Sequence, residues 1–386
     1  MPLRLYPAKP GEFRADEGSH VKRAGSEAVP AARTKDSALS CVVDPSMLPV
    51  FQQSWWLETV RGTESFREAR AFKESVLVGS LPFVIRRTKI GLRWGAPPAW
   101  SHLGGPVVSQ SLSDAEKSDV LCRLIAQLPA NISYGFVCRS YTDDAGLIRR
   151  AFTSAGFSHF TEATYSQSPS QADVLGRLNR KHRLHLEAAR RTLDIVELRE
   201  DEFIDFYWTN LADAALAARV PLDTARALIA KGRIGDTPQI RVFAARRKTA
   251  GALLDAAIAC AWDERRYYYW MSTRRRHSEN SPHDQSHSDA IKLLIVSAME
   301  HARSLGLIFD TDGCSTPGTR KLYKEILRIP NEEFRDVFER VTRLQKWYIT
   351  QQQRLDKLAA VRYAKRKLKL VPSVWVPGRL APSADC

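Results

Sequence analysis

The chain has 386 residues, 44% of them apolar and 26% charged, which leaves room for two or three domains and excludes a chain dominated by disorder. Lys and Arg outnumber Asp and Glu by 58 to 43, and the resulting charge of +15 favours polyanionic partners such as coenzyme A, a nucleotide-linked sugar, tRNA or an anionic membrane surface. No apolar run nears the roughly 20 residues of a membrane-crossing helix, the N-terminus has no secretory apolar core, and the six cysteines form no Cys-x-x-Cys pair; the expectation is a cytoplasmic protein with neither a zinc site nor a disulfide framework.

Residues 1–45 mix Pro, Gly, Ala, Ser and charge without an apolar period and are expected to be a disordered leader. From Phe51 the spacing of Phe51, Trp55, Trp56 and Val60 predicts an amphipathic helix. Val76, Val78, Leu81, Phe83 and Ile85 predict a strand, and Leu92–Trp94 and Gly104–Val108 predict shorter ones. A helix over 113–127, a strand over 133–138, a helix over 144–155 and a strand over 157–165 complete an α/β lobe spanning residues 46–166.

The basic stretch Arg180–Arg191 keeps Leu178, Leu186 and Ala189 near one face and reads as a helix joining two lobes. A strand at 194–198 and helices at 201–218 and 223–231 follow, then three strands at 241–246, 252–260 and 267–272. After the polar stretch Thr273–His287, the residues Ile291, Leu294, Ile295, Ala298, Met299, Ala302 and Leu305 hold a strict helical period, with Ser286 or Ser288 as cap and Gly306 as stop. Leu307–Phe309 resumes as a strand and 319–327 as a helix, so residues 167–335 form the second lobe. Residues 336–386 are expected to be a tail, helical from about Glu332 to Gln353, then basic and finally Pro-rich.

The fold class expected is α/β (α+β), with two lobes that each hold a mixed, mostly antiparallel sheet flanked by helices. The stretch Tyr267-Tyr268-Tyr269-Trp270, Ser286–Ser288, Ala302–Gly306, Phe309-Asp310, Gly313 and Tyr323-Lys324 resembles the FemAB-like and CelD-like tandem GNAT acyltransferases. Arg180–Arg191 is similar to that family's Arg-rich helix and Phe51–Trp56 to its opening helix, so the resemblance spans about residues 50–330. Two departures accompany it: His287-Ser288-Asp289 stands where relatives often carry Pro-Gly, and a Gly-rich pyrophosphate loop is missing. The resemblance implies an N-acyltransferase that uses acyl-CoA, acetyl-CoA for example, on an amine of a sugar or amino acid in cell-envelope or polysaccharide synthesis. It also leaves open aminoacyl-tRNA as donor; a third reading is a catalytically silent basic scaffold on nucleic acid or membrane.

Acyl transfer to an amine draws much of its rate from positioning and from hydrogen bonds to the developing oxyanion, so no nucleophile motif is required. Arg274, Arg275 and Arg276 precede a helix mouth at Ser286 and Ser288, which suits a donor phosphate, although a solvated basic loop fits the same residues. Asp310 and Asp312 end a strand where α/β proteins place ligands and are candidate bases, or Asp312 with Gly313 simply turns the chain. Asp255, inside an apolar strand, either faces the cleft as a base of raised pKa or lies on the sheet's outer face. Arg320, Lys321, Tyr323 and Lys324 are candidate holders of an anionic acceptor or donor, or a solvated helical face. His277, His283 and His287 lack the spacing of a metal motif, and no metal is expected.

Overall fold

Twelve strands among the described residues hydrogen-bond into one sheet. The structure is a computed structural model that describes residues 43–62, 66–87, 91–171, 173–211, 221–234, 238–248, 253–276, 287–314, 316–348 and 350. The expected leader, the basic and Pro-rich end, Ser286, His277 and His283 therefore fall wholly or mostly outside the described residues.

Helix α1 (Ser54–Arg61) buries Trp56, Leu57 and Val60. Strands β1 (Phe66–Lys73) and β2 (Val76–Arg87) form a hairpin, to which β3 (Arg93–Ala96) and the short β4 (Val107–Val108) add along β2. Helix α2 (Asp114–Ala126) starts on a capping box: Ser113 Oγ accepts the Glu116 N–H while the Glu116 carboxylate accepts the Ser113 N–H. It leads to β5 (Ser133–Cys138), parallel to β3, then α3 (Ala145–Ser154) and β6 (Ser158–Gln167).

Short α4 (Val174–Arg177) precedes the basic helix α5 (Arg180–Thr192), whose first turn is capped by Asn179. Then come β7 (Leu193–Glu197), α6 (Glu200–Asn210), α7 (Leu222–Arg233), β8 (Ile240–Arg247), β9 (Leu254–Trp262) and β10 (Arg266–Arg274). Helix α8 (Ala290–Ser304) buries nine residues, Ala290 to Ala302, and Gly306 ends it at φ +72°, a backbone region only glycine enters freely. Strand β11 (Ile308–Asp310), helix α9 (Pro317–Lys321), a π turn over Leu322–Ile326 and strand β12 (Asn331–Arg340) follow.

Strand order is β1-β2-β3-β5-β12-β6-β11-β10-β9-β8-β7, and β4 joins β2. Each half holds one parallel pair, β3 with β5 and β10 with β11, and in each a helix makes the crossover that parallel strands require. The other pairings are antiparallel. One core lies between the first half of the sheet and α2 and α3; a second packs α8 onto one face of β8–β11; a third packs α1, α6 and α7 onto the other face.

Strand β12 corrects the helix expected from Glu332 onward. Phe334, Val337 and Phe338 do hold a helical spacing, yet the segment is extended between β5 and β6, where both of its edges find ladder partners. Residues 343–348 then turn helical. The chain thus returns, after finishing the second half of the sheet, to sit in the middle of the first.

Candidate active site at the splayed end of β10 and β11

Tyr267 and Tyr268 pair in parallel with Phe309 and Asp310, and there β11 stops. β10 runs on to Arg274 with no further β11 partner among the described residues, and its ladder with β9 shifts register between Tyr269 and Met271. The start of α8 lies beside it, where Arg274 reaches the Ser288 carbonyl at 3.5 Å, and the carboxyl end of a parallel pair is where open α/β sheets place ligands.

Around the end of β11 lies an ionic layer. Asp310 is fully buried; its Oδ2 meets Arg139 from the end of β5 at 2.8 Å and Arg266 at 3.0 Å, and its Oδ1 accepts from Thr164 Oγ1 at 2.6 Å and from the Asp312 N–H at 2.8 Å. Burial alone would favour the neutral acid, but the three guanidinium groups of Arg139, Arg266 and Arg335 hold its carboxyl below the ordinary range. Arg335 on β12 is buried too, bonding Asp312 at 2.6 Å and Glu162 at 2.9 Å, and Glu333 accepts from Arg266 at 2.8 Å. Desolvation opposes the charge of Arg335, and the two carboxylates outweigh it.

Asp312 sits at φ 54°, a left-handed conformation that costs a non-glycine residue about 1 kcal/mol or more. Its second oxygen lies against His102 Nδ1. His102 belongs to the segment 97–106 between β3 and β4. Part of that segment bonds the end of β5 in the first half: Gly104 N–H bonds the Val137 carbonyl of β5 at 2.8 Å and the Cys138 thiol donates to the Gly104 carbonyl. The rest reaches the second half, where Trp270 Nε1 donates to the Trp100 carbonyl at 3.0 Å. Trp100 and His102 therefore span the gap from the β10 bulge to the end of β11.

The two carboxylates expected at the strand end, Asp310 and Asp312, stand together here. Asp255 does not join them. It is fully buried rather than on an outer face, and its pKa is lowered rather than raised: desolvation acts against the charge, but hydrogen bonds from Arg247 at 3.0 Å and Arg275 at 2.7 Å prevail. Arg275 is thereby committed to Asp255, while Arg274 and Arg276 are exposed. Ser288 is exposed at the start of α8, but the N-cap is Asp289, whose buried carboxylate is matched by Lys292. The π turn brings Tyr323 into the core beside Tyr165; Arg320 and Lys324 both bond Glu332, at 2.8 and 3.0 Å, and Lys321 is exposed. Among the described residues no group of acidic, His or Cys side chains could hold a metal ion.

His102, Arg139, Arg266 and Arg335 escaped the sequence reading. Their partners lie 210, 171, 44 and 23 residues away, and no local pattern marks them.

No family model and no curated protein matches the chain. Among solved structures it is similar to FemX, with a TM-score of 0.53 at 9% identity over 82% of this chain and 98% of that one. It also aligns with the C-terminal domain of a provisionally assigned lysylphosphatidylglycerol synthetase from Agrobacterium fabrum, with a TM-score of 0.47 at 15% identity over 89% and 99% of the two chains. A conserved protein of unknown function from Bacteroides thetaiotaomicron gives 0.47 at 11% identity over 75% and 90%. With a helix-linked parallel pair in each half and the overall likeness to FemX, the chain has a FemX-like fold.

Proposed function

We propose that the chain is an N-acyltransferase that moves an acyl group from acyl-CoA to an amine of a sugar or amino-acid acceptor, in cell-envelope or polysaccharide synthesis. The observation that carries this reading is the edge of β10 beyond Tyr268, which has no strand partner among the described residues, beside the start of α8 and above the Asp310 layer. Backbone N–H and C=O groups on such an edge can bond the amide arm of a donor, and an N–H aimed at the acyl oxygen would stabilise the oxyanion by about 3–4 kcal/mol. Arg274, Arg276, Ser286 and Ser288 would take donor phosphates, and Arg320, Lys321, Tyr323 and Lys324 an anionic part of the acceptor. Asp310 and Asp312 would organise the site as fixed charges.

A second reading, aminoacyl-tRNA as donor, is favoured by the exposed face of α5. Arg180, Lys181, Arg183, Arg190 and Arg191 are all exposed there, and His185 comes within 3.6 Å of Asp289 at the start of α8, so one basic surface leads to that helix start. Thermal shift with acetyl-CoA, charged tRNA and deacylated tRNA separates the two, because a ligand that binds only the folded chain raises its melting temperature. A shift with acetyl-CoA supports the first donor, and a shift with charged tRNA above that with deacylated tRNA supports the second. No shift with any of them would overturn the transferase reading in favour of a basic scaffold.

A further inference from the structure

We propose that His102 is the general base of this acyl transfer, accepting the acceptor amine's proton on Nε2 while Asp312 holds Nδ1. The inference rests on the transferase reading and names a residue that the sequence did not suggest.

Four observations converge on the imidazole. A carboxylate accepts only from a protonated ring nitrogen, so Asp312 holds the hydrogen on Nδ1, and in the neutral ring the lone pair is on Nε2. Asp312 is itself only 1% exposed and is held by the buried Arg335, which stops it from swinging away. Phe51 stacks on the ring at 5.6 Å and 26°, setting its plane. The His102 side chain is 37% exposed, against 1% for its carboxylate partner, so the dyad is buried at one end and open at the other. Its segment bridges the β10 bulge and the end of β11, so the ring stands where that parallel pair parts. Two left-handed residues flank the arrangement, Trp100 at φ 63° and Asp312 at φ 54°, strain that persists only where surrounding contacts enforce it.

The chemistry balances without a further reagent. The amine lone pair forms the N–C bond to the acyl carbon, the carbonyl π pair moves onto oxygen, and one N–H proton passes to His102 Nε2. Collapse restores the carbonyl and breaks the C–S bond of a thioester, or the C–O bond of an aminoacyl ester. The imidazolium then returns its proton to the departing sulfur or oxygen and is neutral for the next cycle.

Diethyl pyrocarbonate, which carbethoxylates neutral imidazole, tests the dyad on the full chain without knowledge of the acceptor. With peptide mass mapping, His102 is expected to react faster than free N-acetylhistidine and about tenfold slower in Asp312→Asn. An unreactive His102, or one whose rate is the same in a folded Asp312→Asn variant, overturns the proposal; should that variant not fold, the comparison with N-acetylhistidine decides alone. Where a donor and acceptor are turned over, His102→Gln should lower kcat by about 10²–10⁴-fold with KM within about twofold. Full kcat in His102→Gln would remove His102 from the reaction and leave the transferase reading intact. Absence of turnover with acetyl-CoA and charged tRNA would instead overturn that reading, whatever the reactivity of His102.

Discussion

Arg335 and Asp312 are joined at 2.6 Å although the side chain of each is at least 96% buried, one in the middle of β12 and the other just past the end of β11. Two desolvated charges stay together only when most of their charge is matched, and Arg335 adds Glu162 on its other terminal nitrogen at 2.9 Å. The last strand of the chain, placed inside the first half of the sheet, therefore fixes a carboxylate of the second. Arg335→Met should lower the unfolding free energy by about 3–5 kcal/mol, because it leaves two buried carboxylates facing each other. Urea denaturation measures this, and a loss below about 1 kcal/mol would mean that water reaches the layer.

The same layer sets an acid-side signature. In the folded chain Asp310 titrates below its ordinary value of 3.8, because Arg139, Arg266 and Arg335 overcome the effect of its burial. The unfolded chain therefore binds the proton first as pH falls. The contribution of Asp310 is complete above 3.8 and is lost as pH drops through the folded value. Asp310→Asn should be less stable at neutral pH and show a shallower decline of the urea midpoint on the acid side; a decline as steep as in the native chain would be inconsistent with this assignment.

His301 gives the opposite residue type with the same sign. Burial against Trp262, Tyr267 and Phe243, with Arg241 nearby, lowers its pKa from 6.5 to about 4. Between these values the unfolded chain carries a proton that the folded chain refuses, so stability falls as pH drops from 6.5 to about 4 and this contribution changes no further below. His301→Gln can keep a hydrogen bond to the Tyr267 hydroxyl while removing the titration. Its stability should vary less than that of the native chain across that interval, as followed by guanidinium denaturation at several pH values.

How much of this was legible depends on the range of the contacts. Helix α8 was plain because its apolar residues repeat every three or four positions, and β8, β9 and β10 because apolar runs are separated by turn residues. These are local signals. Strand β12 was misread because Phe334, Val337 and Phe338 mimic a helix face, while the influence that makes the segment extended comes from β5 and β6. Asp255 was misjudged for the same reason: the sequence shows a carboxylate among apolar residues, but not the Arg247 and Arg275 that reach it from adjacent strands. His102 had no local signal at all.

Close packing makes a further claim testable at Gly95 on β3. A methyl group there would lie 2.1 Å from Cε1 of Tyr134, whose ring is fully buried among Phe83, Phe136 and Phe157 and has no room to retreat. Gly95→Ala should cost about 1–3 kcal/mol by thermal or urea unfolding. No loss would show that the β3–β5 pair can spread, as β10 and β11 do.

The three arginines at the end of β10 should separate into two kinds. Arg275 offsets a carboxylate that is 0% exposed, so Arg275→Ala should destabilise by about 3 kcal/mol, with Arg247 retaining part of the compensation. Arg274 and Arg276 are exposed, and replacing either by Ala should change stability by no more than about 0.5 kcal/mol. If they meet donor phosphates, each should instead lower the slope of log Kd for tRNA against log salt by about one. Fluorescence titration of labelled tRNA at four or five salt concentrations resolves a difference of that size. Unchanged slopes in both variants, with tRNA still bound, would move the polyanion away from this turn and onto the face of α5.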